Sequence, residues 1–423
     1  MDLCSTHYGF LHLPSLVAFT NPHSPYSSVA RLFMSGTSLL EMARHARSLD
    51  VDQRRDFAHR ATTWFHERRH FHDVLLTPLG NALFFAELSR AAALLPWLPK
   101  LQSFKGQILE LPMSADTPGM RSFVDAYQPV ALPYASLIAS ARDTMEASAV
   151  LAQLAFAMRY VSDTAFVALM QDFLREPRYG YPIQVLGDLV GAPTAATDAR
   201  RVFVAYARLL LLVMSDPPVG RKQSHDATLR KLMDKARQVD RSKLASTMES
   251  IVQTTWRDVR RNLLLNEERT ERWLGGLEHP LRLRGIPGEL AEMFRRVARE
   301  FAGASVDMRR RVCEKPEDYC DLSRYIEADW PEPLTALFHS DGSFRFTDVG
   351  ARWCPFTRES WSQFAVALAP LGVLVEDPAF RHPLVRPWRA NLEQNVGVRL
   401  ARPSRSLSAS GCEQTEAGGG SLA

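Results

Sequence analysis

Residues Thr62–Thr77 read TTWFHERRHFHDVLLT, and within them His66-Glu67-Arg68-Arg69-His70 has the form H-E-x-x-H. Residues four apart on an α-helix share a face. This spacing therefore sets two imidazoles side by side with a carboxylate next to them, ready to share a zinc ion. At about 100° per residue, Thr62, His66, Arg69, His70, Asp73 and Thr77 fall on one polar stripe. Phe57, Ala61, Trp64, Phe71 and Leu75 fall opposite, interrupted by Arg68. The stretch reads as an amphipathic helix with both histidines centred on its polar face. Glu67 sits about 100° round from His66, where it can lean over an ion without ligating it. The plainer alternative is a solvated polar face whose histidines happen to lie four apart.

Working outward, the spacing predicts a helix of about 52–76. Pro78 disfavours helix in the residue before it, and Gly80 suits a turn. A second helix, Asn81 to about Leu95, is rich in Ala, Leu and Phe and reads as buried. Upstream, residues 1–34 look extended or irregular, with a strand near Phe10–Leu13, and Thr37 or Ser38 can cap a helix to about Ser48. Downstream, a helix starts near Tyr134 or Asp143 and runs to about Val161, and another covers Asp163–Leu174. Pro177–Pro182 (PRYGYP) is a turn and a candidate boundary.

Helical patterns then follow near 195–214, 225–256, 257–275 and 288–312. Residues 313–400 mix short helices with possible strands at Ser343–Phe346 and Val373–Val375. Residues 402–423 are rich in Ser and Gly, lack apolar content and read as a disordered tail. The expected fold is mainly α and multi-helical with minor β. Its expected parts are a metal-binding domain over 1–178, a helical accessory region over 179–401 and the tail over 402–423.

Composition narrows the partners. The chain of 423 residues is 46% hydrophobic and 23% charged, ordinary for a globular protein. A net charge of +4, from 51 basic and 47 acidic residues, is too balanced to argue for nucleic acid or an anionic membrane. The charged segment Arg221–Arg261 reads as solvated helix surface, and a DNA-binding helix at Arg358–Leu371 is a weak third option. Cys4, Cys313, Cys320, Cys354 and Cys412 are few, odd in number and scattered, so they imply no disulfide framework. The apolar run Leu209–Met214 is too short to span a bilayer, and no Lys or Arg precedes the apolar N-terminal residues as a secretion signal requires. A cytoplasmic location is expected.

A catalytic zinc takes three protein ligands and keeps a position for water, whose pKa it lowers so that the water can attack a carbonyl. His66 and His70 supply two ligands. Glu67 is placed to take the proton of that water and pass it to a leaving amine. Three acids compete for the third ligand position. Asp73 shares the histidine face but must bend inward, and it reads better as an acceptor for an imidazole N–H. Glu87, flanked by apolar residues, comes level with His70 in an antiparallel hairpin and needs a partner if buried. Glu146 is favoured, because Ala147, Ser148, Ala149 and Ala152 let its helix approach another closely, and Gln153 on the same face can order the site. Its plain alternative is an ion pair with Arg142. Tyr134, Tyr160 and His72 are candidate donors to a developing oxyanion. Arg69 pairs with a substrate carboxylate or with Asp73.

H-E-x-x-H on one helix, with a glutamate on a second helix downstream, resembles the zincin metallopeptidases of the glutamate-ligand, or gluzincin, kind. The likeness covers residues 50–160 at most. It implies a zincin-like active-site helix pair, Zn2+ held by His66, His70 and Glu146, Glu67 as general acid/base, and a peptide or protein substrate. The longer metzincin pattern is missing, since Asp73 stands where it needs glycine. The competing expectation is a non-enzymatic helical interaction or regulatory protein whose motif holds a structural metal or none.

Overall fold

In the computed structural model the motif helix, α2 (Val51–Leu76), is a single element of 26 residues. Asp50 opens it, accepting a hydrogen bond from the Gln53 amide at 2.8 Å, as an N-cap does. Thr77 ends it: its hydroxyl donates to the Asp73 carbonyl at 2.8 Å and accepts from the Gly80 amide at 2.9 Å. The next helix, α3 (Pro78–Leu94), therefore starts at Pro78 rather than Asn81, with proline in the first turn, where a missing N–H costs nothing. Gly80 is not in a turn. A Cβ there would lie 2.3 Å from the Asp73 carbonyl oxygen and 2.4 Å from Val74 Cα, so glycine is what lets α3 start against the end of α2.

The structure describes residues 9–13, 16–20, 39–94, 118–175, 184, 186, 196–218, 223–238, 241–282, 288–328, 330–333, 335–338 and 344–346. The other helices are α1 (Leu39–Arg47), α4 (Pro118–Phe156), α5 (Asp163–Arg175), α6 (Ala196–Ser215), α7 (His225–Arg237), α8 (Arg241–Leu264), α9 (Asn266–Leu281), α10 (Gly288–Glu314), α11 (Pro316–Cys320) and α12 (Leu322–Glu327). A π turn, Ala157–Val161, follows α4. α4 begins well before Tyr134 and carries Pro129 and Pro133 internally. In its middle, the Asp143 and Thr144 amides donate to the Asp226 carboxylate of α7 at 3.1 and 2.9 Å, which ties α4 to α7. The expected helix 225–256 is divided into α7 and α8. The Gln238 amide donates to the Lys235 carbonyl at 3.3 Å, a tight turn that ends α7.

Four strands complete the fold, in the order β1 (Gly9–His12), β2 (Val17–Thr20), β3 (Thr335–Phe338), β4 (Phe344–Phe346). β1–β2 and β3–β4 are antiparallel pairs, and β2 runs parallel to β3. The strands expected near Phe10–Leu13 and at Ser343–Phe346 correspond to β1 and β4. The sheet sits on α2, where Trp64 Nε1 donates to Thr335 Oγ1 at 3.2 Å. Buried apolar side chains from Leu11 to Trp330 form one cluster.

The motif helix is not amphipathic in the expected sense. Thr62, Glu67, Arg68, Arg69, His70, His72 and Asp73 are all buried, along with Phe57, Phe65 and Phe71. The polar stripe faces other helices instead of water. No described helix is long and apolar enough to cross a membrane. The Pro177–Pro182 turn, the Val373–Val375 strand, the Arg358–Leu371 helix and the 402–423 tail lie outside the described residues.

Candidate metal centre

α2 and α4 pack closely because α4 presents Ala147, Ser148, Ala149 and Ala152, all buried. The approach brings His66, His70 and Glu146 together. His66 Nε2 and His70 Nε2 lie 3.1 Å apart. Glu146 Oε2 is 3.5 Å from the first and 3.8 Å from the second. Zinc binds such atoms at about 2.0–2.2 Å in a tetrahedron, which sets its ligands about 3.3–3.6 Å from one another. The observed triangle brackets that edge length, so the three groups fit a cation of this class. Two imidazole nitrogens and a carboxylate oxygen are also a donor set that zinc accepts.

The electrostatics agree with shared positive charge. Burial would raise the Glu146 carboxyl, but the hydrogen bond from His66 and the charges of His70, His66 and Arg142 outweigh it and hold it below its usual value. Burial would lower His66, yet Glu146, Glu67 and Gln153 together raise it. His70, fully buried, is pushed down to about 3, chiefly by that burial, so its ring is neutral. His70 Nδ1 has no hydrogen-bond partner. His66 Nδ1 faces Gln153 Oε1 at 3.1 Å, and Gln153 Nε2 donates to Thr62 Oγ1 at 2.7 Å.

Glu67 is 0% exposed and neither of its oxygens has a hydrogen-bond partner. Burial, reinforced by Glu146 and opposed by His66, pushes it up to about 8. The Leu11 amide of β1 is near enough to favour the charged form slightly, without reaching hydrogen-bond geometry. A buried carboxylate with no donor is costly unless a charge or a bound molecule compensates it.

The competing acids lie elsewhere. Glu87 is buried but bonded to Arg90, whose guanidinium lies over the Tyr134 ring. Asp73 accepts from the Tyr319 hydroxyl and lies 3.3 Å from Arg69 Nε, and it bonds no imidazole. Arg69 is fully buried, donating to Ser148 Oγ at 2.9 Å and the Tyr319 carbonyl at 3.1 Å, so it belongs to the interior and not to a substrate. His72 donates from Nε2 to the Pro331 carbonyl at 2.5 Å and accepts at Nδ1 from the Tyr325 hydroxyl at 2.7 Å. Tyr160 bonds Glu327 and Arg159. None of the three proposed oxyanion donors reaches the centre. The sequence reading missed Tyr319, Tyr325 and Thr335, which brace the motif helix from behind. No local pattern marks them.

No protein-family model matches the chain, and comparisons with curated proteins and with solved structures find no match.

Proposed function

We propose that this chain is a zinc-dependent hydrolase, a metallopeptidase of the gluzincin kind acting on a peptide or protein. The observation that carries this reading is the convergence of His66 Nε2, His70 Nε2 and Glu146 Oε2 beside an otherwise unpartnered Glu67. When bound, zinc would supply a Lewis acid and bring a water molecule's pKa toward neutrality. His66 and His70 would hold the ion from α2, and Glu146 would hold it from α4. With the ion's positive charge beside it favouring the carboxylate, Glu67 would take the proton of the attacking water and return it to the leaving amine. β1, an end strand of the described sheet, brings Leu11 beside Glu67. A sheet edge there suits a substrate in extended form. The buried free thiols Cys313 and Cys320 agree with a reducing compartment, and we assign the protein to the cytoplasm.

A second reading is favoured by one specific observation: His70 and Glu67 are 0% exposed. A metal held that deeply can be structural, in a non-enzymatic helical interaction or regulatory protein. Two measurements on purified protein separate the readings. Stoichiometric zinc that is lost in His66→Ala, with peptide hydrolysis lost in Glu67→Gln while zinc is kept, supports the hydrolase. Zinc without hydrolysis of any peptide in a broad library supports the structural metal. Absence of zinc removes the hydrolase and leaves a non-enzymatic helical protein whose motif holds no metal.

A further inference from the structure

The two histidines of the motif are not equivalent. His66 Nδ1 has an acceptor and His70 Nδ1 has none. What stands behind His66 is a chain of three groups. The Thr62 hydroxyl lies 2.6 Å from the Ala58 carbonyl and 3.2 Å from the His59 carbonyl. Both are acceptors only, so the single hydroxyl proton is committed to them. Thr62 Oγ1 must then accept from Gln153, which places the amide nitrogen of Gln153 toward Thr62, at 2.7 Å, and its oxygen toward His66. An oxygen at 3.1 Å from His66 Nδ1 demands a proton on that nitrogen. In the neutral ring the remaining lone pair is then on Nε2, the atom that faces His70 and Glu146.

We infer that Gln153, oriented by Thr62, is the positioning residue of the centre: it fixes the ring plane of His66 and the tautomer of its neutral form, so that Nε2 is the nitrogen left to face an ion. The inference rests on the metal-centre reading for its purpose, but the tautomer stands independently of it. All members are buried, Thr62 and Gln153 included, so no water competes for the Nδ1 proton. The anchor is the backbone about two turns before His66, and the amide arrives from α4, seven positions beyond Glu146. The contact that orients one ligand is thus carried on the helix that supplies another. Partners of this kind typically hold 10–100-fold of metal affinity.

The test reads tautomer and affinity separately. The 15N shifts of the His66 ring in metal-free protein report which nitrogen carries the proton. Zinc affinity is read by competition with a chromophoric chelator, with thermal melting as a check on folding. The expected result is a protonated Nδ1 in wild type and a mixed tautomer in Gln153→Met, with zinc bound about 10–100-fold more weakly. Gln153→Glu keeps an acceptor at Nδ1 and is expected to restore affinity to within a few-fold. Thr62→Val frees the amide to flip and is expected to fall between. A proton on Nε2 of the neutral wild-type ring, read at a pH above its titration, or wild-type zinc affinity in a folded Gln153→Met, overturns the inference. A wild type that takes up no zinc sinks the metal centre, while the same spectra still decide whether Gln153 orders His66.

Discussion

The Tyr325 hydroxyl donates to His72 Nδ1 at 2.7 Å, and the other nitrogen of that ring is taken by the Pro331 carbonyl. His72 is therefore a strut between α2 and the segment after α12, not a third histidine of the centre. Tyr325→Phe leaves Nδ1 buried without a donor, which is expected to cost about 1–3 kcal/mol. Urea denaturation reads the loss, and zinc content is expected to stay at the wild-type level. Loss of zinc in a folded Tyr325→Phe would instead tie His72 to the metal.

The choice among three acids gives a second expectation. Glu146→Gln is expected to weaken zinc by more than about 100-fold, because even outer partners of such ligands account for 10–100-fold. Glu87→Gln disturbs only the pair with Arg90, so a folded variant is expected to bind zinc normally. The reverse order of effects would move the third ligand to α3.

Metal removal is expected to lower stability as well as activity. His66, His70 and Glu146 converge, with their ligand atoms all within 4.8 Å of one another. A ligand present at 100 times its dissociation constant adds about 2.7 kcal/mol of stability. Chelation is expected to remove an amount of that order, and added zinc to return it. Thermal melting at several zinc concentrations gives the reading, and a melting point indifferent to zinc would count against the centre.

Gly80 offers a test of the helix junction. A methyl group there meets backbone atoms of Asp73 and Val74, which cannot rotate away. Gly80→Ala is expected to destabilise the fold by about 1–3 kcal/mol or more. An unchanged denaturation midpoint would mean that α3 does not cross α2 this closely.

Away from the centre, Asp172 of α5 accepts from Arg55 Nε and lies against His59 Nε2, both at 2.9 Å. Burial would raise this carboxyl, but the hydrogen bonds and charges of His59 and Arg55 prevail and hold it below 3.8. Its folded value is thus below its unfolded one. The stabilisation is present above pH 3.8 and is lost as the pH falls through the folded value. Asp172→Asn is expected to cost about 0.2–1 kcal/mol at neutral pH, with the gap to wild type closing in acid. Denaturation midpoints across a pH series measure it.

Much of α2 was legible because its signals are local. Asp50, the four-residue histidine spacing and Thr77-Pro78 all act within one or two turns. The small residues beside Glu146 likewise announced a close helix crossing, and Glu146 is the acid found there. What was not legible depends on distance. His72 read as a candidate oxyanion donor and Asp73 as an acceptor for an imidazole because their partners, Tyr325 and Tyr319, lie some 250 residues away. A solvated polar face stayed open as the alternative because charge alone cannot tell water from a buried tyrosine or serine. The split between α7 and α8 was missed because neither Gly nor Pro marks it.

β2 and β3 are neighbours in the sheet, yet almost the whole of the described chain is synthesised between them. Trp64 docks on Thr335 of that late strand. As the polypeptide leaves the ribosome, the helix bearing the motif must wait, one flank uncovered, until its last wall emerges. Among the described parts, the flank of the motif helix at Trp64 is thereby covered late.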